Sequence, residues 1–290
     1  IRLHGGIGNQ LFQYSFGQQL KNIHNLKIKY YVSDHTKSNK WPEYHNIFKD
    51  YKINIEWASA QELSIILNSK KNNFLKFILQ KANVLRSLAV IKEKKYGYDK
   101  ILYEKINDNS VLIGYWQDEK YFSLIKEKIR NEIQLLDSNN QFIKKYKKAI
   151  IKCNSVSVHF RMKDYIENKK TSDFHGVLSN EYYKKSFEFV SNRIENPTFF
   201  IFSDDINKVK DRLDMDYSHH FIFHQKPIKD TDELFLMSLC KHNIIANSTY
   251  SWWGAWLNKN KSKIVIGPKN WFKSKENKKN NPMPKEWIRI

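Results

Sequence analysis

Between Pro197 and Ser203 the chain reads Thr-Phe-Phe-Ile-Phe, a run in which apolar side chains do not alternate with polar ones. A strand with one face in water alternates. A continuous run needs cover on both faces, which is the condition of a parallel strand buried between helices. The segments around it agree. Val156, Val158 and Phe160 alternate with Ser157, His159 and Arg161, which predicts a strand. Residues 243–246 and 263–266 supply two more, with helical segments between them. The C-terminal half therefore reads as βαβ units on a parallel sheet.

The N-terminal half follows the same plan less cleanly. A short strand at 1–3 enters His4-Gly5-Gly6-Ile7-Gly8-Asn9, and a helix follows with Phe12, Phe16 and Leu20 at helical spacing against the sheet. Further strands are expected at 28–32 and 111–113, separated by a long, mostly helical stretch. Within it, residues 74–91 are apolar but punctuated by Lys76, Lys81 and Arg86. They read either as a core-facing helix or as one lying on a membrane surface. Residues 138–154 are rich in Asn, Gln and Lys, which puts the domain join there: 1–150 and 151–290. A chain of 290 residues can bury a sizeable core, and α/β chains of this length are often two domains. The predicted class is α/β with two Rossmann-like domains.

The formal net charge of +20 raises nucleic-acid binding as a function. Against it, only seven of the 50 basic residues are Arg, and the Lys residues are scattered rather than striped. Base and phosphate readout favours the bidentate Arg fork, so no nucleic-acid partner is expected. A basic chain suits a nucleoside-diphosphate ligand and an anionic membrane surface, and peripheral membrane contact is expected. Cys153 and Cys240 lie in different segments without the Cys/His spacing of a metal site. Both are expected to be buried thiols in a reducing, cytoplasmic setting. With no run of about 20 apolar residues, no bilayer span is expected. No signal peptide is read either, and the native N-terminus is expected a little upstream of Ile1.

Parallel α/β sheets bind ligands beyond the carboxyl ends of their strands, and four such ends carry unusual residues. Gly6-Ile7-Gly8 lets the backbone approach an anion at the following helix N-terminus, though it also reads as a plain tight turn. The third glycine of a dinucleotide fingerprint is missing, because Leu11 stands in its place. This argues against an NAD-dependent enzyme with Asp34 on the ribose. At the second end, Arg161 can grip a diphosphate bidentately, or it can form a structural pair with Asp164. At the third, Ser203-Asp204-Asp205 offers either helix caps or a carboxylate for the two N–H groups of guanine, with at least one of the two Asp residues a cap. At the fourth, Asn247-Ser248-Thr249-Tyr250-Ser251 precedes a helix carrying Trp252 and Trp253. It can cradle phosphate, with Ser251 as cap. Asp230 and Glu233 read as a capping-box pair. Asp214-Met215-Asp216 spells a metal-binding D-x-D, but no strand feeds it, and it reads as a solvated loop.

Taken in order, these segments resemble glycosyltransferase family 11, the bacterial and animal α-1,2-fucosyltransferases. Four stretches carry the likeness: Gly5 through Tyr14, Gly114-Tyr115-Trp116-Gln117, Phe202-Ser203-Asp204-Asp205, and the run from Leu236 through Ala246-Asn247-Ser248 to Trp252-Trp253-Gly254. No one of them carries it alone; the ordered set does, over almost the whole chain. The resemblance implies a GT-B fold with two Rossmann-like domains facing a central cleft, and inverting transfer of fucose from GDP-fucose to a terminal galactose. It implies no metal and no cofactor beyond that donor. The family's H-x-R-R-G-D-Y motif maps onto His159 to Tyr165, keeping Arg161 and Asp164 but with Met162 and Lys163 where the family has Arg and Gly. By the same resemblance Gly6, Gly8, Asn9, His159, Asp204, Asn247, Ser248, Thr249 and Ser251 serve the donor. Trp116, Gln117 and His175 border the acceptor, and Arg161 and Asp164 are the catalytic pair. Arg161 and the helix N-terminus near Ser251 would oppose the charge growing on the leaving diphosphate. The expected acceptor is a galactose-terminated oligosaccharide or lipid-linked glycan of a bacterial surface polysaccharide such as O-antigen, met at the cytosolic face of the inner membrane.

Overall fold

The computed structural model describes residues 1–32, 47–51, 53–63, 89–134, 140–162, 173–174, 176–213, 217–222, 229–274, 277 and 280–290. The chain divides into two compact units, Ile1–Glu132 and Ile133–Ile290.

In the first unit, β1 (Arg2–Leu3) pairs in parallel with β2 (Tyr31–Val32), and β3 (Ala89–Lys92) with β4 (Ser110–Ile113). Between β1 and β2 runs α1 (Ile7–Ile23), whose residues Leu11, Phe12, Phe16 and Leu20 are almost fully buried. The 3₁₀ segment Glu119–Ile125 and α4 (Lys126–Glu132) complete the core with Tyr121, Phe122, Ile125 and Ile129; the short α2 (Ile47–Asp50) adds Phe48 to it, while α3 (Lys100–Glu104) buries no residue. One expectation is corrected here. Residues 89–91, read as the end of an apolar helix, form a strand instead. Val90 and Ile91 pair with Val111 and Leu112, and β-branched side chains of this kind suit the pleat. Residues 74–88 lie outside the described set.

The second unit is a six-stranded, wholly parallel sheet in the order β10-β9-β8-β5-β6-β7. Its strands are β5 (Asn154–Phe160), β6 (Pro197–Ser203), β7 (His219–Phe221), β8 (His242–Ile244), β9 (Val265–Gly267) and β10 (Ile288–Arg289). Counted from the unit's own first strand, the order is 3-2-1-4-5-6 from one edge, that of a doubly wound dinucleotide-binding sheet. The apolar run in β6 explains itself. Phe199 and Ile201 pack with Val156 and Val158 against α6 (Asn180–Ser191) through Tyr183, Phe187 and Val190. Phe200 and Phe202 face the opposite side, against Ile143 and Ile150 of α5 (Gln141–Ile151) and Leu236 and Met237 of α8 (Asp230–Leu239). Because α5 supplies one wall of this core, it belongs to the second unit. At about 25 cal/mol per Å² of apolar surface, each of these buried phenylalanines contributes on the order of 2–3 kcal/mol.

Buried amides join β8 to its neighbours. Asn243 Nδ2 donates to Ser157 Oγ at 2.7 Å and to the Met237 carbonyl at 3.0 Å, and Asn258 Nδ2 donates to Asn243 Oδ1 at 2.7 Å. The helix after β8, α9 (Thr249–Leu257), is apolar all round and buried from Ser251 to Leu257, as such a helix must be. It crosses α8 closely at Gly254, where a Cβ would sit 2.9 Å from Met237 Cβ. One of the two cysteines differs from the expectation. Cys240 is buried, while Cys153 at the end of α5 keeps partial exposure.

Candidate functional site

Strand order places the switch point of the second unit at β5, whose neighbours β6 and β8 connect to opposite sides of the sheet. Ligands bind beyond the carboxyl ends there. Those ends carry Arg161 after β5, Asp204 after β6 and Asn247-Ser248 after β8. Arg161 Nη1 stands 3.4 Å from Asp204 Oδ2. Asp204 Oδ1 accepts the Met162 N–H at 2.7 Å, so one carboxylate ties the end of β5 to the end of β6. Asp205 caps α7 (Ile206–Lys210), accepting from the Lys208 N–H and pairing with its ammonium at 3.0 Å. These contacts hold its carboxyl below the usual range. The capping role expected of one of the two aspartates thus falls to Asp205.

His159 is buried under this edge. Its carbonyl accepts from Tyr183 Oη at 3.1 Å and its ring lies 5.6 Å from that of Tyr250, while Nδ1 is buried without a hydrogen bond. Burial, then the nearby Arg161, lowers its pKa to about 3, so the ring is neutral across the working pH range. Met162 is buried as well, with its sulfur accepting from Arg212 Nη1 at 3.4 Å.

The helix following β8 begins at Thr249, two residues before the expected Ser251. Its cap is Ser248, whose Oγ accepts the Tyr250 N–H at 3.3 Å. Ser251 is instead buried and donates back to the Ala246 and Ser248 carbonyls. Asn247 Nδ2 bridges the carbonyls of Gly176 and Trp271. Thr249 is half-buried at the first helical position. Asp164 and His175 lie outside the described residues, as do Lys163, Asp34 and the 214–216 D-x-D. Among the described residues, no group of three or more His, Cys, Asp or Glu side chains is arranged to hold a metal ion.

Glu233 had been read as part of a capping box. The helix starts instead at Asp230 with Lys229 as an N-cap that makes no side-chain bond, and Glu233 is half-buried. Burial, then Asp230, Asp204 and Asp232, raises its carboxyl to about 8. Its spacing fits a cap, and only the tertiary packing decides otherwise.

In the first unit the carboxyl ends of β1, β3 and β4 converge. Gly5 is left-handed at φ +78°, and a Cβ there would come within 2.4 Å of Asn9 Nδ2. Gly6 is the N-cap of α1 and Gly8 is buried in its first turn. Gln13 Nε2 reaches the Gly114 carbonyl at 3.0 Å and His4 Nδ1 at the same distance. Asn9 Oδ1 accepts from Gln117 Nε2 at 2.8 Å, so two residues singled out in separate motifs touch. Trp116, expected beside an acceptor, is fully buried and stacks on Phe16 at 4.5 Å. It is a core residue, and its backbone is left-handed at φ +57°. Glu93, in the charged run Lys92-Glu93-Lys94-Lys95, is a residue that the sequence motifs did not single out. Its Oε2 accepts the N–H groups of Tyr115 at 2.6 Å and Trp116 at 3.1 Å. Its carboxyl is raised to about 7, because burial outweighs those two bonds.

A Rossmann-ordered sheet with an Arg–carboxylate pair and a capped helix N-terminus at its switch point is an arrangement that suits an anionic ligand. The family model described as Glycosyl transferase family 11 matches residues 1–290, and the chain belongs to that family. It is 34% identical to an Escherichia coli protein named alpha-1,2-colitosyltransferase, covering 100% of this chain and 97% of that one. It is 31% identical to the Escherichia coli O-antigen biosynthesis glycosyltransferase WbnK, covering 99% of each. Among solved structures it resembles an Arabidopsis thaliana FUT1 variant in complex with GDP, with a TM-score of 0.51 and 11% identity over 93% of this chain and 70% of that one. The fold is α/β of the GT-B type expected from sequence, and the chain is a glycosyltransferase.

Proposed function

We propose that this glycosyltransferase moves L-fucose from GDP-fucose to O2 of a terminal β-galactoside, with inversion and without a metal ion, in the synthesis of a bacterial surface glycan such as O-antigen. The observation that carries the reading is the Arg161–Asp204 pair at the switch point beside the helix that begins at Thr249. The acceptor hydroxyl attacks the anomeric carbon opposite GDP, and negative charge grows on the leaving diphosphate. Arg161 opposes that charge with a guanidinium that Asp204 holds in position. The dipole of the helix capped by Ser248 opposes it from the end of β8. Asp204 is assigned to fixing Arg161 and the Met162 turn rather than to reading guanine, since both of its oxygens face those groups. His159 acts as a neutral, buried spacer under Arg161. Asn247, Ser248, Thr249 and Ser251 shape the phosphate end of this site in the second unit, and Gly6, Gly8, Asn9 and Gln117 lie at the strand ends of the first unit. The setting is the cytoplasm, with peripheral membrane contact. The partners are GDP-fucose and a galactose-terminated or lipid-linked glycan.

A second donor has its own support in the 34% identity to a colitosyltransferase. Colitose is L-fucose without the 3-hydroxyl, so the same diphosphate chemistry serves either sugar. GDP release is measured with GDP-fucose and with GDP-colitose, over a panel of β-galactosides in excess EDTA, and the product linkage is read by NMR. Acceptor-dependent release that survives EDTA, with an α-1,2 product, is the expected result. Faster turnover of GDP-colitose would make it the donor. Tight GDP binding with no release would overturn donor sugar and acceptor together, and absence of GDP binding would overturn the site.

A further inference from the structure

We propose that Glu93 is a positioning residue for the acceptor: its carboxylate holds the Gly114–Gln117 turn in the backbone conformation that presents Tyr115 and Gln117 at the carboxyl edge of the first unit. This rests on the reading of that edge as the acceptor side.

Three observations converge on the side chain. Its Oε2 accepts two successive N–H groups, those of Tyr115 and Trp116. The second belongs to a residue at φ +57°, a conformation that a bulky L-residue adopts only when its surroundings impose it. Gly114 is the close-approach point, since a Cβ there would lie 2.5 Å from Glu93 Cβ and 2.9 Å from Oε2. Only glycine lets β3 and β4 bring the carboxylate under the turn.

The turn has consequences on both sides. Left-handed geometry at Trp116 sends its indole into the core against Phe16 and points its two neighbours elsewhere. Tyr115 lies against the His4 ring at 4.6 Å, tilted by 34°, and is nearly parallel to Tyr96, with an interplanar angle of 7°. All three rings are half-buried, so an aromatic wall of the kind that packs against the C–H face of a sugar stands at this edge. Gln117 reaches Asn9 in the glycine loop. Glu93 thus fixes, through one carboxylate oxygen, the ring and the amide that face an acceptor. Its other oxygen, Oε1, is buried with no hydrogen-bond partner among the described residues, so both N–H bonds fall on Oε2.

The test compares wild type with Glu93→Ala and Glu93→Gln in the full chain. Backbone hydrogen exchange over the segment 110–118 needs no substrate. Acceptor and donor KM are read separately. In Glu93→Ala, two N–H groups lose their acceptor. Exchange in the turn should speed up by about tenfold or more, and acceptor KM should rise by a similar factor with donor KM within about twofold. Glu93→Gln keeps an oxygen for both N–H groups and should resemble wild type in exchange and KM. Should Glu93→Ala fail to fold, Glu93→Asp, one methylene too short to reach both N–H groups, takes its place. Unchanged exchange or unchanged acceptor KM in the Ala or Asp variant overturns the proposal. A Glu93→Gln variant with intact protection and unchanged KM but kcat about a hundredfold lower also overturns it, because Glu93 would then be taking the acceptor's proton. If no acceptor supports transfer at all, the functional reading has failed, while the exchange data still decide what Glu93 does.

Discussion

Replacing Glu233 by Gln should make the protein more stable in alkaline solution and flatten the dependence of its stability on pH. The wild-type carboxyl is raised from the ordinary glutamate value of 4.5 to about 8 by burial and by Asp230, Asp204 and Asp232. Between those two values the folded state binds a proton that the unfolded chain has released. Stability from this group is therefore complete below about pH 4.5 and is lost as pH rises through about 8. From pH 6 to about pH 8 the unfolded chain gains about 1.4 kcal/mol per pH unit over the folded one, which sets a ceiling near 3 kcal/mol for the loss across that range. Relaxation and water entry around a newly charged carboxylate lower this, and about 1–3 kcal/mol is expected. Gln fills nearly the same volume and carries no proton to lose. Urea unfolding at pH 6 and pH 9 measures the effect as the wild-type loss minus the variant loss, with m unchanged. Subtraction also removes Glu93, which titrates near 7 in both proteins. Parallel losses in wild type and variant would refute the argument and mean that Glu233 is ionised in the fold at neutral pH.

Arg161→Ala should lower kcat for transfer by about two to three orders of magnitude, the usual cost of removing a group that opposes transition-state charge. Its melting temperature should stay within a few degrees of wild type, because the 3.4 Å pair with Asp204 is partly exposed and such pairs contribute about 1 kcal/mol or less. Arg161→Lys should recover part of the rate, as a point charge without the fork. Transfer by the Ala variant within a few-fold of wild type would remove Arg161 from the mechanism. Ser248→Ala removes the cap on the Tyr250 N–H and should cost about 1 kcal/mol in thermal unfolding. It should also weaken GDP binding measured by calorimetry; unchanged binding would separate the cap from the ligand site.

Legibility followed burial. The β6 run and the alternation in β5 were readable because a strand covered on both faces leaves an unbroken apolar signature, and a strand at its side keeps the period of two. The glycine loop, the strand ends with Arg161 and Asp204, and a cap at Asp204 or Asp205 were readable for local reasons. β7 was missed because His219-His220-Phe221 lies at a sheet edge, largely exposed, where neither periodicity nor hydrophobicity marks a strand. β3 was hidden inside a longer apolar stretch, where a period of four residues cannot be told from a turn of helix. The errors at Trp116, Ser251 and Glu233 share one cause. A motif fixes which residues are present, whereas their direction depends on contacts from distant segments: Phe16 and Tyr121 around Trp116, the Ala246 carbonyl beneath Ser251, and Asp204 beside Glu233. Glu93 gave no sequence signal because its partners, Tyr115 and Trp116, are more than 20 residues away.

The amide chain through Ser157, Asn243 and Asn258 acts as an alignment key for assembly. β8 is only three residues long, and a parallel neighbour could accept it displaced by two positions with every side chain still on its proper face. Such a slipped sheet would match the native one in hydrophobic burial. It would fail at Asn243, which would lie opposite Ser155 or His159 in place of Ser157 and would abandon Asn258 and the Met237 carbonyl. Each amide stranded in the interior costs about 1–3 kcal/mol. Polar residues that contribute little to net stability thus separate the correct sheet from its nearest impostor, and they do so on the strand whose end carries Asn247 and Ser248.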